Sequence, residues 1–154
     1  MERVGIDCHM YRNKVDDWDL PDLADVDNIR DVTKSQEWGT AEFRTRGKKH
    51  KRKKRTLLER ALEFQMEHNP DEVANNDNFV AFRDAFEDRD AVIELYILDG
   101  TNDLGSNSQG LHAHFIVTKF ERAEPLEDAV IYDVSLDLAV SDRDPEWYET
   151  PAGP

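Results

Sequence analysis

The sequence predicts a mainly β fold, in which antiparallel strands form a sandwich or a partly closed barrel flanked by one α-helix. Apolar and polar residues alternate through much of the chain after residue 90, and a period of two is that of a half-buried strand. The clearest helical spacing of apolar residues lies at 77–88. With 154 residues the chain fits one domain, residues 1–154.

The N-terminal third is predicted to contain strands around an acidic segment. Strand-like alternation begins with Val4, Ile6, Cys8 and Met10. Residues 16–27 are rich in Asp, so we expect an extended or turning segment whose carboxylates face solvent or a basic partner. Residues 28–36 and 38–43 are weakly strand-like on either side of a break at Gly39. Cys8 is the only cysteine, and we expect a reduced residue inside its strand.

Residues 56–68 fit two different patterns. Their Leu, Ala and Met residues form a helical stripe and are good helix formers. Leu62, Phe64 and Met66 also alternate strictly with polar residues, as in a strand. The local pattern leaves both structures open, and Asn69 with Pro70 ends either one.

Residues 77–88 are predicted to form the helix. Asp77 is a suitable N-cap, and Phe79, Phe82 and Phe86 fall on one helical face. Three rings on one side indicate a helix packed on a flat surface.

The second half is predicted to contain long strands. Residues 91–98 are apolar on both faces, as in a central strand, and 101–110 form a polar loop. Strands follow at 111–120 and 130–140. Residues 141–154 are expected to be an extended tail that needs a partner surface.

Positive charge is concentrated in one place. Nine of the 20 Lys and Arg residues lie at 44–55, so the other 142 residues carry 11 basic and 34 acidic residues, a net charge of −23. We expect a long basic loop at about 44–56, which can grip nucleic acid, act as a nuclear address, or contact an acidic protein surface. The overall charge of −14 opposes general affinity for DNA phosphates.

The residue patterns predict no enzyme, cofactor site or metal site. His112 and His114 would share one face of a strand, but a third metal ligand is not identifiable. Ser106 and Ser108 lie near these histidines without an assignable nucleophile and base. No apolar run is long enough to span a membrane, and the N-terminus lacks the apolar core of a signal peptide.

Two stretches of the second half carry a family resemblance. "DNFVAFRDAFEDRDAVIELYILDG" begins at Asp77, and "GSNSQGLHAHFIVTKFERAEPLEDAVIYDVSLDLA" begins at Gly105. Together they resemble the major tail tube proteins of long-tailed bacteriophages: a helix, an apolar strand that ends in Asp-Gly, a Gly- and Ser-rich loop, and strands joined by an "EPLE" turn. Upstream, "NIRDVTKSQEWGTAEFRTRG" and "RTLLERALEFQMEHN" are similar to earlier strands of that family. The resemblance therefore favours a strand at 56–68.

The resemblance implies a structural protein of the virion tail, assembled in the bacterial cytoplasm. Its expected partners are copies of itself in stacked hexameric rings, together with tape-measure and tail terminator or tip proteins. DNA would pass through the tube without specific binding, and no catalytic residue carries over. Related tubes occur in type VI secretion and other injection systems, which stay open as an alternative, as does a nucleic-acid-binding protein using residues 48–55.

Charge segregation also suggests a contact between subunits. Because like-charged subunits repel, we hypothesise that the basic run of one copy contacts the acidic segment of another. The candidate contact residues are Arg44, Arg46, Lys48, Lys49, Lys51, Arg52, Lys53, Lys54, Arg55, Asp16, Asp17, Asp19, Asp22, Asp25 and Asp27.

Overall fold

The computed structural model describes residues 9–15, 17–19, 21–43, 47, 49–69, 71–102, 105, 107–123 and 130–151. Its strands are β1 (His9–Asn13), β2 (Leu23–Asp25), β3 (Ile29–Phe43), β4 (Arg52–His68), β5 (Ile93–Leu98), β6 (Gln109–Ala123), β7 (Val130–Leu138) and β8 (Glu146–Glu149), and α1 (Val73–Glu87) lies between β4 and β5. All of the pairings between these strands are antiparallel. The predicted fold class is confirmed. Within the described ranges, no helix is long and apolar enough to cross a membrane.

The strands belong to one sheet, which curls. Its order is β2-β1-β5-β6-β7-β4-β3, with β8 also paired to β6. In a flat sheet, six strand spacings would put β2 about 29 Å from β3. The chain from Asp25 to Ile29 covers only four Cα steps, at most about 14 Å. The two sheet edges therefore approach each other at this corner, as in a partly closed barrel, but no ladder joins β2 to β3 among the described strands.

The core lies on the inner face of this curl. Leu62, Phe64 and Met66 of β4 are buried there, as are alternate residues of β5, β6 and β7. Helix α1 covers the same face, with the Phe82 ring 5.4 Å from the Phe64 ring. Phe79 is also buried, whereas Phe86, at the end of the helix, is 41% exposed. The predicted aromatic face of the helix thus packs on the sheet, with its first two rings buried and the Phe86 ring stacked 6.0 Å from the Phe120 ring.

Residues 56–68 are strand, as the resemblance favoured. Strand β4 pairs with β3 on one edge and, from Ala61 onward, with β7 on the other, so the backbone of residues 61–68 satisfies its hydrogen bonds between two neighbours. The alternation at Leu62, Phe64 and Met66 then places these three side chains in the core. Tertiary pairing outweighs the helix propensity of the segment.

Two sequence predictions need correction. The basic loop predicted at 44–56 is shorter, because β4 begins at Arg52 and residues 52–55 pair with Thr40–Phe43. Charged side chains do not prevent this strand, since residues 52–55 are exposed on both of its faces. The helix begins at Val73 with Glu72 as N-cap, so Asp77 lies inside the helix and is not its cap. The earlier start follows from a turn in which the Glu72 N–H donates to the Asn69 carbonyl and the Asn76 N–H donates to the Glu72 carbonyl.

The C-terminal segment is extended and finds its partner surface within the same chain. Strand β8 pairs with residues 109–112 of β6. The Thr150 N–H then donates to the Ser108 carbonyl at 2.9 Å. The predicted strand alternation at Val4, Ile6 and Cys8, the "EPLE" turn and the last three residues lie outside the described residues.

Candidate assembly surfaces

Strands β2 and β3 stand at the two ends of the strand order in the described sheet. Each pairs with a neighbour on one side, β2 with β1 and β3 with β4. Strand β3 runs for 15 residues, and nearly all of its side chains are exposed. A long exposed edge carries unpaired backbone donors and acceptors, so it is a template for pairing with another chain.

The β3–β4 hairpin extends beyond the sheet as an arm. Strand β4 pairs with β7 only from Ala61 onward, so residues 52–60 pair with β3 alone. We call residues 36–43 and 52–60 the hairpin arm. Nine strand residues span about 30 Å, and a two-stranded ribbon of this length is marginally stable by itself.

The hairpin arm exposes large apolar side chains. Phe43 is 55% exposed and Leu57 is 77% exposed. Trp38 is also exposed, and the Arg55 guanidinium lies 5.3 Å from its ring centroid. An apolar patch on a projecting ribbon is typical of a surface that another protein covers.

The basic run lies at the tip and along one strand of the hairpin arm. Lys49 and Lys51 precede β4, and Arg52, Lys53, Lys54 and Arg55 are in it. The Lys51 ammonium is 3.8 Å from the Glu42 carboxylate, and Lys53 is opposite Glu42 in the β3–β4 register. Arg44, Arg46 and Lys48 lie outside the described residues.

The acidic segment belongs to the opposite edge of the sheet. Asp17 and Asp19 lie between β1 and β2. Asp22 precedes β2, Asp25 ends it, and Asp27 follows. Asp16 lies outside the described residues.

Within one chain, acidic-segment carboxylates contact cations other than those of the hairpin arm. Asp22 is 3.4 Å from Lys14, and Asp19 is 3.1 Å from Arg143. Burial raises the pKa of Asp25, which His9 lowers and Asp27 raises further. In the described part of the chain, no ion pair joins the hairpin arm to the acidic segment.

The outer face of β3, β4, β6 and β7 is acidic, and this surface was missed from the sequence. Its carboxylates are Glu37, Glu59, Glu63, Glu67, Glu121, Asp133 and Asp137. They occupy strand positions that alternate with core residues such as Leu62 and Leu136. Arg30 and Lys119 share this face and pair with Glu67 at 3.7 Å and Glu121 at 3.3 Å. The alternation at 59–67 and 133–137 indicated that each strand has one acidic face. It could not indicate that these faces join into one surface, because the pairing of the strands was unknown.

His112 and His114 share the outer face of β6, as predicted. The His112 Nε2 atom is 2.9 Å from a Glu94 carboxylate oxygen, and Nδ1 is 3.2 Å from a Glu146 oxygen. The His114 Nδ1 atom is hydrogen-bonded to the Ser141 hydroxyl, so its serine partner is neither of the two considered from the sequence. Among the described residues there is no group of three or more His, Cys, Asp and Glu side chains arranged to hold a metal ion.

Solved structures with the same fold are components of tails. The chain superposes on a protein from the tail of an empty gene transfer agent particle, a tail with C6 symmetry, with a TM-score of 0.65 and 12% identity over 91% of this chain and 96% of that one. It superposes on the SPP1 tail tube protein with a TM-score of 0.69 and 12% identity, covering 89% and 76% of the two chains. The chain has a tail tube fold.

The tail tube fold extends to contractile injection systems. A chain from the sheath/tube terminator structure of the PVC extracellular contractile injection system matches with a TM-score of 0.58 and 10% identity, over 96% of this chain and 97% of that one. No protein-family model matches the sequence, and no curated protein does.

Proposed function

We propose that this chain is a structural virion protein that assembles into stacked hexameric rings, which form the tail tube of a phage or prophage. The observation that carries the proposal is the tail tube fold, shared over 91% of the chain with a protein from a C6-symmetric tail. The role is non-enzymatic. The protein acts in the virion tail and is assembled in the host cytoplasm. Its further partners are a tape-measure protein and tail terminator or tip proteins.

The sheet edges and the hairpin arm supply contacts between copies. A ring closes when an edge of one subunit meets a complementary surface on the next, and each subunit then uses two different surfaces. The free edge of β3 offers backbone pairing. The exposed Trp38, Phe43 and Leu57 side chains offer apolar area that a neighbouring copy can bury.

Electrostatic complementarity sets the register of these contacts. The hairpin arm is basic and the segment around β2 is acidic, and the two belong to opposite edges of the sheet order. In a ring or between rings, the cations of one copy therefore face carboxylates of another. Such pairs increase association rate and fix register more than they add affinity. Arg44, Arg46, Lys48 and Asp16 are proposed to contribute to the same contact.

We propose that the acidic outer face lines the lumen. A tube that passes double-stranded DNA has to avoid binding it, because each phosphate neutralised by a fixed cation adds affinity and drag. The face around Glu63, Asp133 and Asp137 is rich in carboxylates, and the Arg30 and Lys119 side chains on it pair with acidic neighbours. Six copies of this face would form a wall that repels phosphate.

Electron microscopy of the concentrated protein tests the assembly. We expect rings with sixfold symmetry or hollow tubes, with a matching increase in sedimentation coefficient. A chain that stays monomeric at every concentration, and that adds to no tail when supplied to an assembling particle, would end the proposal.

A second candidate is a tube protein of a contractile injection system. The match that covers 97% of a chain in the PVC terminator structure favours it. The fold and the assembly would be the same, but the tube would belong to an injection particle and not to a phage. Purification of the native particle separates the two candidates, since a phage tail is attached to a DNA-filled capsid.

A further inference from the structure

A buried histidine in strand β6 lies between two carboxylates. The His112 side chain is 2% exposed, and its two ring nitrogens face Glu94 of β5 and Glu146 of β8. Glu94 is buried as well, whereas Glu146 is 55% exposed. We propose that His112, Glu94 and Glu146 form a proton-dependent latch that holds strand β8 and the Trp18 side chain against the sheet. The latch concerns contacts within one chain, so it does not rest on the proposed function.

Counting hydrogen-bond donors shows why this arrangement needs a proton. A neutral imidazole carries one N–H and can donate to one carboxylate. Its other nitrogen would then present a lone pair to a carboxylate oxygen within 3.2 Å. Two charge-assisted bonds form only when the cluster holds one more proton, on the imidazole or shared with Glu94.

Aromatic rings stack on both faces of the imidazole. The Trp18 ring centroid lies 3.6 Å away on one side, and the Tyr96 centroid lies 3.8 Å away on the other, both nearly parallel to the imidazole. Aromatic faces attract a cation, and tryptophan does so most strongly. The stack therefore favours the protonated ring.

Every element packed around His112 contributes a charged or titratable neighbour. On β5, Glu94 also accepts a hydrogen bond from Asn13, and burial raises the pKa of Tyr96. On β8, Tyr148 has a pKa raised by burial and lies edge-on to the imidazole. On β6, His114 is edge-on to Trp18. The Arg143 guanidinium is 5.8 Å from the Trp18 ring centroid and forms an ion pair with Asp19.

The direction of the pH dependence follows from these contacts. The closed latch binds one proton more than the three side chains would share after β8 opens. Acidic conditions therefore favour the closed latch, and it weakens as the pH rises. Loss of the proton leaves Glu146 facing a lone pair, so β8 opens before the rest of the sheet.

Amide hydrogen exchange of the full chain tests the latch, at concentrations where sedimentation shows a single species. The readout is the protection of residues 146–150 divided by that of residues 132–136 in β7, corrected for intrinsic exchange rates. We expect this ratio to fall by up to about tenfold per pH unit as the proton leaves. A ratio that stays constant from about pH 6 to about pH 9 would overturn the proposal.

A matched pair of variants on β8 isolates the titrating contact. Glu146→Gln removes the second carboxylate and keeps the size of the side chain. We expect the protection ratio of this variant no longer to fall as the pH rises. Glu149→Gln removes a carboxylate from the same strand at a position opposite Gln109, and we expect the fall to remain. If Glu146→Gln retains the full fall, the proposal is wrong. As a second readout, the His112 ring nitrogen shifts and the Glu94 side-chain carboxyl carbon shift at about pH 6 should show an imidazolium, or a neutral ring beside a protonated Glu94. A neutral ring beside an ionised Glu94 would overturn the proposal.

Discussion

Gly110 occupies a position in β6 where a side chain has no room. Strands β5 and β8 flank it on its two edges, and an added Cβ would lie 1.7 Å from the Ile97 carbonyl oxygen. Because the obstacle is backbone, a small side-chain rotation cannot relieve the overlap. The glycine therefore allows the close approach of β5 that buries Tyr96 and His112.

Replacement of Gly110 by alanine should destabilise the fold strongly. We expect Gly110→Ala to lower the free energy of unfolding by about 3 kcal/mol or more, the upper range for overpacking. Gly39→Ala is the matched control, because its Cβ would meet the Thr56 hydroxyl, which can rotate away. The control should cost about 1 kcal/mol or less. Urea unfolding of both variants measures the difference, and equal losses would contradict the prediction.

Tyr96 makes stability depend on pH in the alkaline range. Burial raises the pKa of Tyr96 above its ordinary value of 10, and Glu94, Tyr148 and Glu146 raise it further. Since the folded state retains the phenol proton that the unfolded chain loses, stability is complete below about pH 10 and falls above it.

Removal of the Tyr96 phenol should reduce this alkaline loss. The wild-type free energy of unfolding should fall by up to about 1.4 kcal/mol per pH unit for this proton, and Tyr96→Phe should flatten that part of the curve. Tyr132→Phe on β7 is the control for deletion of a phenol elsewhere. Urea unfolding at several pH values from about 8 to about 11 measures this dependence. If Tyr96→Phe leaves the slope of the unfolding free energy against pH unchanged, the prediction is wrong.

At the scale of elements, the structure of a segment depended on the strands and turns next to it in the fold, which the local sequence does not reveal. The period of two at 130–140 predicted β7 because one face of that strand meets the core and the other does not. Residues 56–68 satisfied a helical and a strand period equally, and only the pairing of β4 with β3 and β7 distinguishes them. The Asp77 cap was wrong because a turn at Asn69 starts the helix one turn earlier.

The hairpin arm should affect assembly without affecting the stability of the single chain. Leu57 is 77% exposed, so Leu57→Ser should change the free energy of unfolding by about 0.5 kcal/mol or less. Trp38→Ser also loses the contact with Arg55, so it should cost about 1 kcal/mol. If a neighbouring copy buries these side chains, the concentration needed for assembly should rise at least about tenfold. Sedimentation and urea unfolding of the same samples separate the two effects, and unchanged assembly would exclude the arm from the contact.

The basic strand should control how assembly responds to salt. Gln in place of Arg52, Lys53, Lys54 and Arg55 preserves length and strand pairing while removing four charges. We expect slower assembly and a weaker dependence of its rate on ionic strength, because complementary charges act mainly on association. Four Gln substitutions at Arg83, Arg89, Lys119 and Arg122 provide the control. Equal salt dependence in both variants would contradict the proposed contact.

At the scale of the whole molecule, the sequence predicted the fold class and the separation of charge but not the curl of the sheet. The short link between β2 and β3 joins strands at opposite ends of the sheet order. The residues at 25–29 carry no local pattern that would indicate that five other strands lie between these two in the sheet. For the same reason, the acidic face was not predictable. Glu63 and Asp133 are 70 residues apart in sequence and become neighbours only because β4 pairs with β7.

The proposed position of the acidic outer face in the lumen leads to a prediction about the assembled tube. If it lines the lumen, replacement of Glu63, Asp133 and Asp137 by Gln, Asn and Asn removes 18 negative charges from each six-subunit ring, since each copy loses three. Glu63 and Asp137 are exposed, Asp133 is half-buried, and the core lies on the opposite face of these strands, so tubes should still form. Their lumen should then retain double-stranded DNA, with a salt dependence that reports phosphate contacts.

The control for this prediction neutralises an equal number of carboxylates elsewhere. Asp84, Glu87 and Asp88 lie at the end of α1, away from the outer face of β4 and β7. Cosedimentation of DNA with preformed tubes at physiological salt compares the two variants with the unaltered protein. Retention by the first variant alone would place the acidic face on the DNA path. Equal behaviour of both variants would instead assign that face to the outside of the tube, and tight DNA binding by the unaltered protein would favour the basic arm as a nucleic-acid grip.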